Sequence, residues 1–258
     1  MSWVETTSLS FTARHESTQT DDAIAVLEDL EEHRAHLEQL FPRLPGNVTI
    51  VLHDSPLQLW LAHPMLLVSR MLARRSARRY VAAWYRADEV HSLSRPMLRA
   101  LSAGADSERA MLLSPRRAFT ALVVGINNPL LPPPSRPAAV RRTLLRHAWL
   151  THGASQYFSG QVPLLRAAVA MRLRQGRVPF PPGARDAPLL AGSLFDLLAE
   201  ERDERASVRL ATHPYRGARD ALEDSFDRPI SETAHAWRGH LERLSTPEPG
   251  VARVSRLV

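Results

Sequence analysis

The chain has 258 residues, of which 44% are apolar and 23% charged, with a net charge of +6 and no cysteine. That length and apolar share suit one large domain or two small lobes around a sizeable core, and exclude wholesale disorder. The missing cysteine excludes disulfides, thiolate zinc sites, iron–sulfur clusters and a cysteine nucleophile.

All 33 basic residues are Arg. Together with abundant Ala, Leu and Pro, this looks like the coding bias of a GC-rich genome. The positive charge is therefore weak evidence for nucleic acid, though it permits contact with an anionic surface. Met1-Ser2-Trp3-Val4-Glu5 has no basic stretch followed by an apolar run, and no window holds about 18 uninterrupted apolar residues. A soluble, cytoplasmic protein is expected.

Residues 8–15 alternate, with Leu9, Phe11 and Ala13 on one face, and predict a half-buried strand. Asp21 or Asp22 then caps a helix with apolar positions Ile24, Leu27, Leu30, Leu37 and Phe41. Pro42 and the Leu44-Pro45-Gly46 turn end it. The β-branched run 48–53 predicts a second strand. Residues 57–79 are apolar as far as Leu72 and then basic, and Pro64 must start, kink or end a helix there. Residues 80–85 and 89–93 predict two strands around a turn. Ser94-Arg95-Pro96 starts a helix, residues 111–113 suggest an edge strand, and Ser114-Pro115 opens a helix running to about Gly125.

Residues 127–137 hold Pro129, Pro132, Pro133, Pro134 and Pro137. This break predicts a linker between an N-terminal lobe, 1–126, and a C-terminal lobe, 138–258. Helical periodicity covers about 138–158, 163–175, 187–201, 215–226 and 231–244. The expected class is α+β: a small N-terminal twisted sheet with helices, followed by an all-helical C-terminal lobe.

Three segments carry a resemblance. One is the opening strand–helix–strand that ends in Asn47-Val48-Thr49-Ile50-Val51-Leu52. The second is Trp149-Leu150-Thr151-His152-Gly153-Ala154-Ser155-Gln156-Tyr157. The third is the tail from Ala221 to Asp227, with Ile230 and Ala236-Trp237-Arg238. Together they resemble the peptidase MA-like, or gluzincin, zinc metallopeptidases. The middle segment is similar to the family's Trp-Leu-x-Glu-Gly-x-Ala-x-Tyr stretch, whose Glu is the third zinc ligand.

The departures bear on function. The family's zinc is held by His-Glu-x-x-His on one helix, with the Glu as general base. No such motif occurs in the chain, the helix in the corresponding place reads Ala118-Phe119-Thr120-Ala121-Leu122-Val123-Val124-Gly125, and His152 stands where the Glu ligand should be. A catalytic zinc needs about three protein ligands and an open position for water. The resemblance therefore implies a degenerate member with no catalytic residue, no metal ligand set and no cofactor. Its cleft candidates are Trp149, His152, Gln156 and Tyr157.

Other candidates read as ordinary structure. His147 and His152 are five apart, which turns them about 140° from one another on a helix. His235 and His240 repeat that spacing. His33 and His36 are three apart among Glu31, Glu32 and Glu38, and read as a solvated helix face. Glu200, Glu201, Asp203 and Glu204 interleave with arginines as a helix-end charge run. Gly153-Ala154-Ser155-Gln156-Tyr157 lacks the last glycine of a nucleophile elbow, and no nucleotide loop is present. Two functions stay open. One is a catalytically inactive metallopeptidase-like protein holding a peptide or protein partner in the remnant cleft. The other is a protein that binds a membrane or nucleic-acid surface through the basic face of Arg70, Arg74, Arg75, Arg78 and Arg79.

Overall fold

The computed structural model describes residues 2–131 and 145–246. The parts of the proposed linker and of the 138–158 helix that fall on residues 132–144 lie outside the described residues.

The first half builds a five-stranded sheet in the order β1 (Trp3–Thr7), β2 (Phe11–Glu16), β3 (Val48–His53), β5 (Glu89–Leu93), β4 (Ala83–Tyr85). β1 and β4 run antiparallel to their neighbours, while β2, β3 and β5 are mutually parallel. Each parallel step needs a crossover. Helix α1 (Thr20–Leu40) supplies the first, and α2 (Pro56–Ala62) with α3 (Pro64–Leu72) supplies the second. Two β–α–β units therefore sit inside an α+β plan that the sequence reads as segregated. Pro64 is the first residue of α3, where its missing N–H costs nothing.

Helices make up the rest. They are α4 (Arg95–Ala100), α5 (Ala105–Leu112), α6 (Ser114–Asn127), α7 (Ala148–Phe158), α8 (Arg166–Arg174), α9 (Ala187–Leu190), α10 (Gly192–Glu201), α11 (Glu204–Thr212), α12 (Ala218–Phe226) and α13 (Ile230–Ser245). No described helix is long and apolar enough to cross a membrane. One continuous apolar core joins the two halves, from Phe11, Ile50 and Leu52 on the sheet through Phe119 and Leu122 on α6 to Phe195, Leu210 and Trp237. Phe11 meets Phe119 edge-on at 5.0 Å, so α6 is the hinge piece of the core, with the sheet on one side and α7 on the other.

Several local expectations are corrected. The opening strand splits into a hairpin: Leu9 lies in its turn and is 94% exposed, while Phe11, Ala13 and His15 point inward. β1, half-exposed and polar, has no apolar alternation to announce it. Ile24 is exposed on α1. Residues 111–113 are the end of α5 and not an edge strand. Ser107, Ala110 and Met111 are its buried positions, a spacing of three and four that belongs to a helix. The predicted strand over 80–85 keeps only β4, and a short 3-10 turn occupies 78–80.

Candidate functional site

Ser114 and Pro115 open α6, and the apolar run from Ala118 to Gly125 is buried throughout. A helix buried on all sides packs on two layers at once. The second layer is α7, where Gly153 decides the distance of approach to the next helix. A methyl group at Gly153 would lie 2.6 Å from Phe195 Cε2 and 2.9 Å from the Ala191 carbonyl oxygen. Only glycine lets α7 seat this closely on α10, and that seating fixes the neighbouring residue, His152, against α6.

Between α6 and α7, under β4 and the 78–80 turn, lies a cavity of about 60 Å³. That is room for a few waters or one small group. Tyr80, Trp84 and Tyr85 wall it on one side, Ala118 and Ala121 on the other, with Arg117, His152, Ser114 and Thr151 as its polar lining.

Arg117 is 7% exposed. Its Nη1 donates to the Tyr80 carbonyl at 2.9 Å and to Gln161 Oε1 at 3.3 Å, and its Nη2 donates to His152 Nδ1 at 2.9 Å. All three acceptors are neutral. No carboxylate among the described residues pairs with it, so burial pulls its pKa down to about 10. Since a guanidinium only donates, His152 Nδ1 must accept, which leaves the hydrogen of the neutral ring on Nε2. Burial first, and the Arg117 charge second, hold His152 well below the ordinary imidazole range. Ser114 Oγ and Thr151 Oγ1 are buried without a hydrogen-bond partner among the described residues.

Of the four cleft candidates, only His152 lines this cavity. Trp149 is buried in the core. Gln156 is a structural clamp, its Nε2 donating to the Pro188 carbonyl at 2.5 Å and its Oε1 accepting from the Gly192 amide at 2.7 Å. Tyr157 packs on Phe158 and Phe195. The residues that complete the site, Arg117, Tyr80, Trp84 and Tyr85, carry no spacing signal that sequence reasoning could use.

The basic face is largely consumed internally. Arg70 Nη1 donates to the carbonyls of Arg78 and Val81, and its guanidinium lies over the Trp60 ring at 5.3 Å. Arg78 donates to the carbonyls of Ala73 and Met71. Arg74 Nε sits 2.9 Å from Asp186 Oδ1, within ion-pair range but off the hydrogen-bond angle. Arg75 and Arg79 alone of the five make no such contact among the described residues.

Two histidine readings change. His33 is buried, not solvated: its Nε2 lies 2.8 Å from Thr120 Oγ1, tying α1 to α6. A second group has members too far apart in sequence for any spacing to join them. His53 at the end of β3 places Nε2 3.1 Å from His91 Nδ1 on β5, His91 Nε2 lies 3.3 Å from Glu89 Oε2, and the His63 ring stands edge-on to His91 at 3.9 Å. Burial comes first in depressing all three, to about 4 for His63 and about 3 for His91, with the neighbouring rings and Arg86 adding to both of these. No group of three or more His, Asp or Glu side chains among the described residues is placed to hold a metal ion.

No protein-family model, curated protein or solved structure matches the chain.

Proposed function

We propose that the chain is a soluble, cytoplasmic, catalytically inactive relative of the gluzincin metallopeptidases that binds a peptide or protein partner at the remnant cleft, one small group of which enters the cavity between α6 and α7. One observation carries the reading. Arg117, Ala118 and Ala121 stand at i, i+1 and i+4 on α6 and line the same cavity as His152 of α7. In an active relative those places would hold the two His ligands, the general base and the third ligand. This donor set does not fit zinc. It offers one imidazole, whose Nδ1 is taken by a guanidinium, and it already contains a permanent cation.

Metal analysis of the purified protein, with a general peptidase assay, tests the reading. Substoichiometric zinc and no chelator-sensitive hydrolysis are expected, and one tight zinc per chain with hydrolysis would overturn it. Restoring all four positions together (Arg117→His, Ala118→Glu, Ala121→His, His152→Glu) should create zinc binding near one per chain, whereas His152→Glu alone should not. A folded quadruple variant without zinc affinity would sink the positional correspondence.

A second reading rests on α2 and α3. Leu61 is 73% and Met71 68% exposed, and Arg75 and Arg79 follow Met71 in the sequence. Exposed apolar side chains followed by arginines suit an anionic membrane surface. Sedimentation with vesicles containing phosphatidylserine, lost on Leu61→Ser with Met71→Ser, would support it. No sedimentation above that with neutral vesicles would remove it.

A further inference from the structure

We infer that this cavity takes a carboxylate, an assignment that rests on the cavity being the ligand site proposed above. A guanidinium has five N–H groups, and three of those of Arg117 are engaged. Its Nε–H and one Nη2–H remain. The Ser114 and Thr151 hydroxyls, both buried and unpartnered, line the same cavity. The Nε2–H of His152 makes no hydrogen bond among the described residues. Every one of these groups can donate, and no acceptor among the described residues meets them. Buried donors are normally satisfied, and the Arg117 charge meets only neutral acceptors among the described residues, so the group that suits this lining is an acceptor with negative charge.

The balance of charge and space selects among anions. Arg117 is the only cation among the described lining residues, and His152 is held neutral beside it. One charge complements a monoanion, where a phosphate dianion would remain half-compensated in a desolvated site. A carboxylate accepts through two oxygens and pairs with Arg side-on in two parallel bonds. Trp84, Tyr85, Val81, Ala118 and Ala121 then face whatever the carboxylate is attached to, and all favour an apolar group. The ligand is thus a monocarboxylate with a small apolar body. It is either a free short-chain acid or the C-terminal carboxylate of a peptide ending in an apolar residue.

Calorimetric titration of the full chain distinguishes these. The ligands are butyrate, butyramide, an N-acetylated Ala-Ala-Leu peptide with a free C-terminus, the same peptide amidated, and inorganic phosphate. Each acid should bind at least tenfold more tightly than its amide, and phosphate should bind more weakly than either acid. Tighter binding of the free-acid peptide than of butyrate would make a chain terminus the ligand, and the reverse order a free acid. Arg117→Gln should abolish the preference for acid over amide. Thr151→Val, which keeps the shape and removes one hydroxyl, should weaken acid binding several-fold while circular dichroism stays unchanged. Equal binding of acids and amides, no binding of either acid, or an acid preference that survives in folded Arg117→Gln would overturn the assignment. None of these results bears on zinc content or hydrolysis, so the carboxylate can fail while the proposed relationship stands.

Discussion

Two buried arginines behave in opposite ways. Arg172 on α8 is fully buried and paired: Nε donates to Asp186 Oδ1 at 2.6 Å, Nη2 donates to Oδ2 at 3.3 Å, and the carbonyls of Gly176 and Arg177 accept two of its other hydrogens. Arg74 approaches the same carboxylate from outside. Arg117 on α6 is buried nearly as deeply but meets only neutral acceptors and faces a cavity. The first is a fastening between α8, α9 and α3. The second keeps a charge with no counter-ion among the described residues beside a cavity, an arrangement that stability alone would not favour, because a desolvated cation needs a partner. The contrast separates an arginine held by a carboxylate from one whose spare donors face a cavity.

The largest expected effect breaks the fastening. Asp186→Ala leaves Arg172 buried and unpaired and should cost about 3–5 kcal/mol in urea unfolding. Arg117→Met removes a charge that has no counter-ion and should cost no more than about 1 kcal/mol, because the lost hydrogen bonds are offset by relief of desolvation. Equal losses in the two variants would make Arg117 a structural residue and erase the comparison.

Gly153→Ala tests whether the seating of α7 holds the Arg117–His152 contact. The new methyl group must displace Phe195 or the Ala191 carbonyl, at a cost of about 1–3 kcal/mol from overpacking. Acid-binding affinity should fall with it. Full stability after this change would show that α7 has slack.

Acidification sharpens the contrast further. His33, His63 and His91 are depressed chiefly by burial, to about 3, 4 and 3, and His152 is depressed as well. Above the ordinary imidazole pKa of about 6.5 both folded and unfolded chains carry these rings neutral. As pH falls below that value the unfolded chain binds protons that the folded chain refuses, so stability drops from about pH 6.5 towards pH 4. Melting temperatures measured across that range should decline steadily. The decline should be slightly shallower in Arg117→Met, where one of the two causes of the His152 depression is gone. A flat profile would mean these rings are not held neutral. The smallest effect is local: Asp203→Ala removes the cap that accepts the Ala206 amide at 2.6 Å and should cost about 1 kcal/mol, without altering acid binding.

Much of the fold was legible because its signals are local. β3, α1, α6 and α13 announce themselves by β-branched runs, period 3.6 and Ser-Pro or Pro starts. β1 was not, since an edge strand with one half-exposed face has no alternation to read. At the site, the resemblance carried by the Trp149–Tyr157 segment points to His152 and to the helix over 118–125, and the two lie side by side. Arg117 was invisible: in a chain whose every cation is Arg, one after Ser114-Pro115-Arg116 looks like any solvated helix residue. The His53–His63–His91 group was hidden for another reason. Parallel pairing of β3 with β5 brings together residues 38 apart in sequence, and no spacing rule spans a crossover.

Gly153 has a mechanical consequence. One flank of α7 is locked against Phe195 and Ala191, and the other is held by the His152–Arg117 bond, so the helix cannot slide or roll without collision. The opposite side of the cavity hangs from short pieces: a 3-10 turn, a three-residue strand and the end of α3. Compliance is therefore one-sided. Any volume a guest requires must come from residues 80–85 and Ser69, not from α6 or α7. Amide hydrogens of 80–85 should exchange faster than those of 149–156 in the free protein, and an occupant should slow the first set while leaving the second where it was.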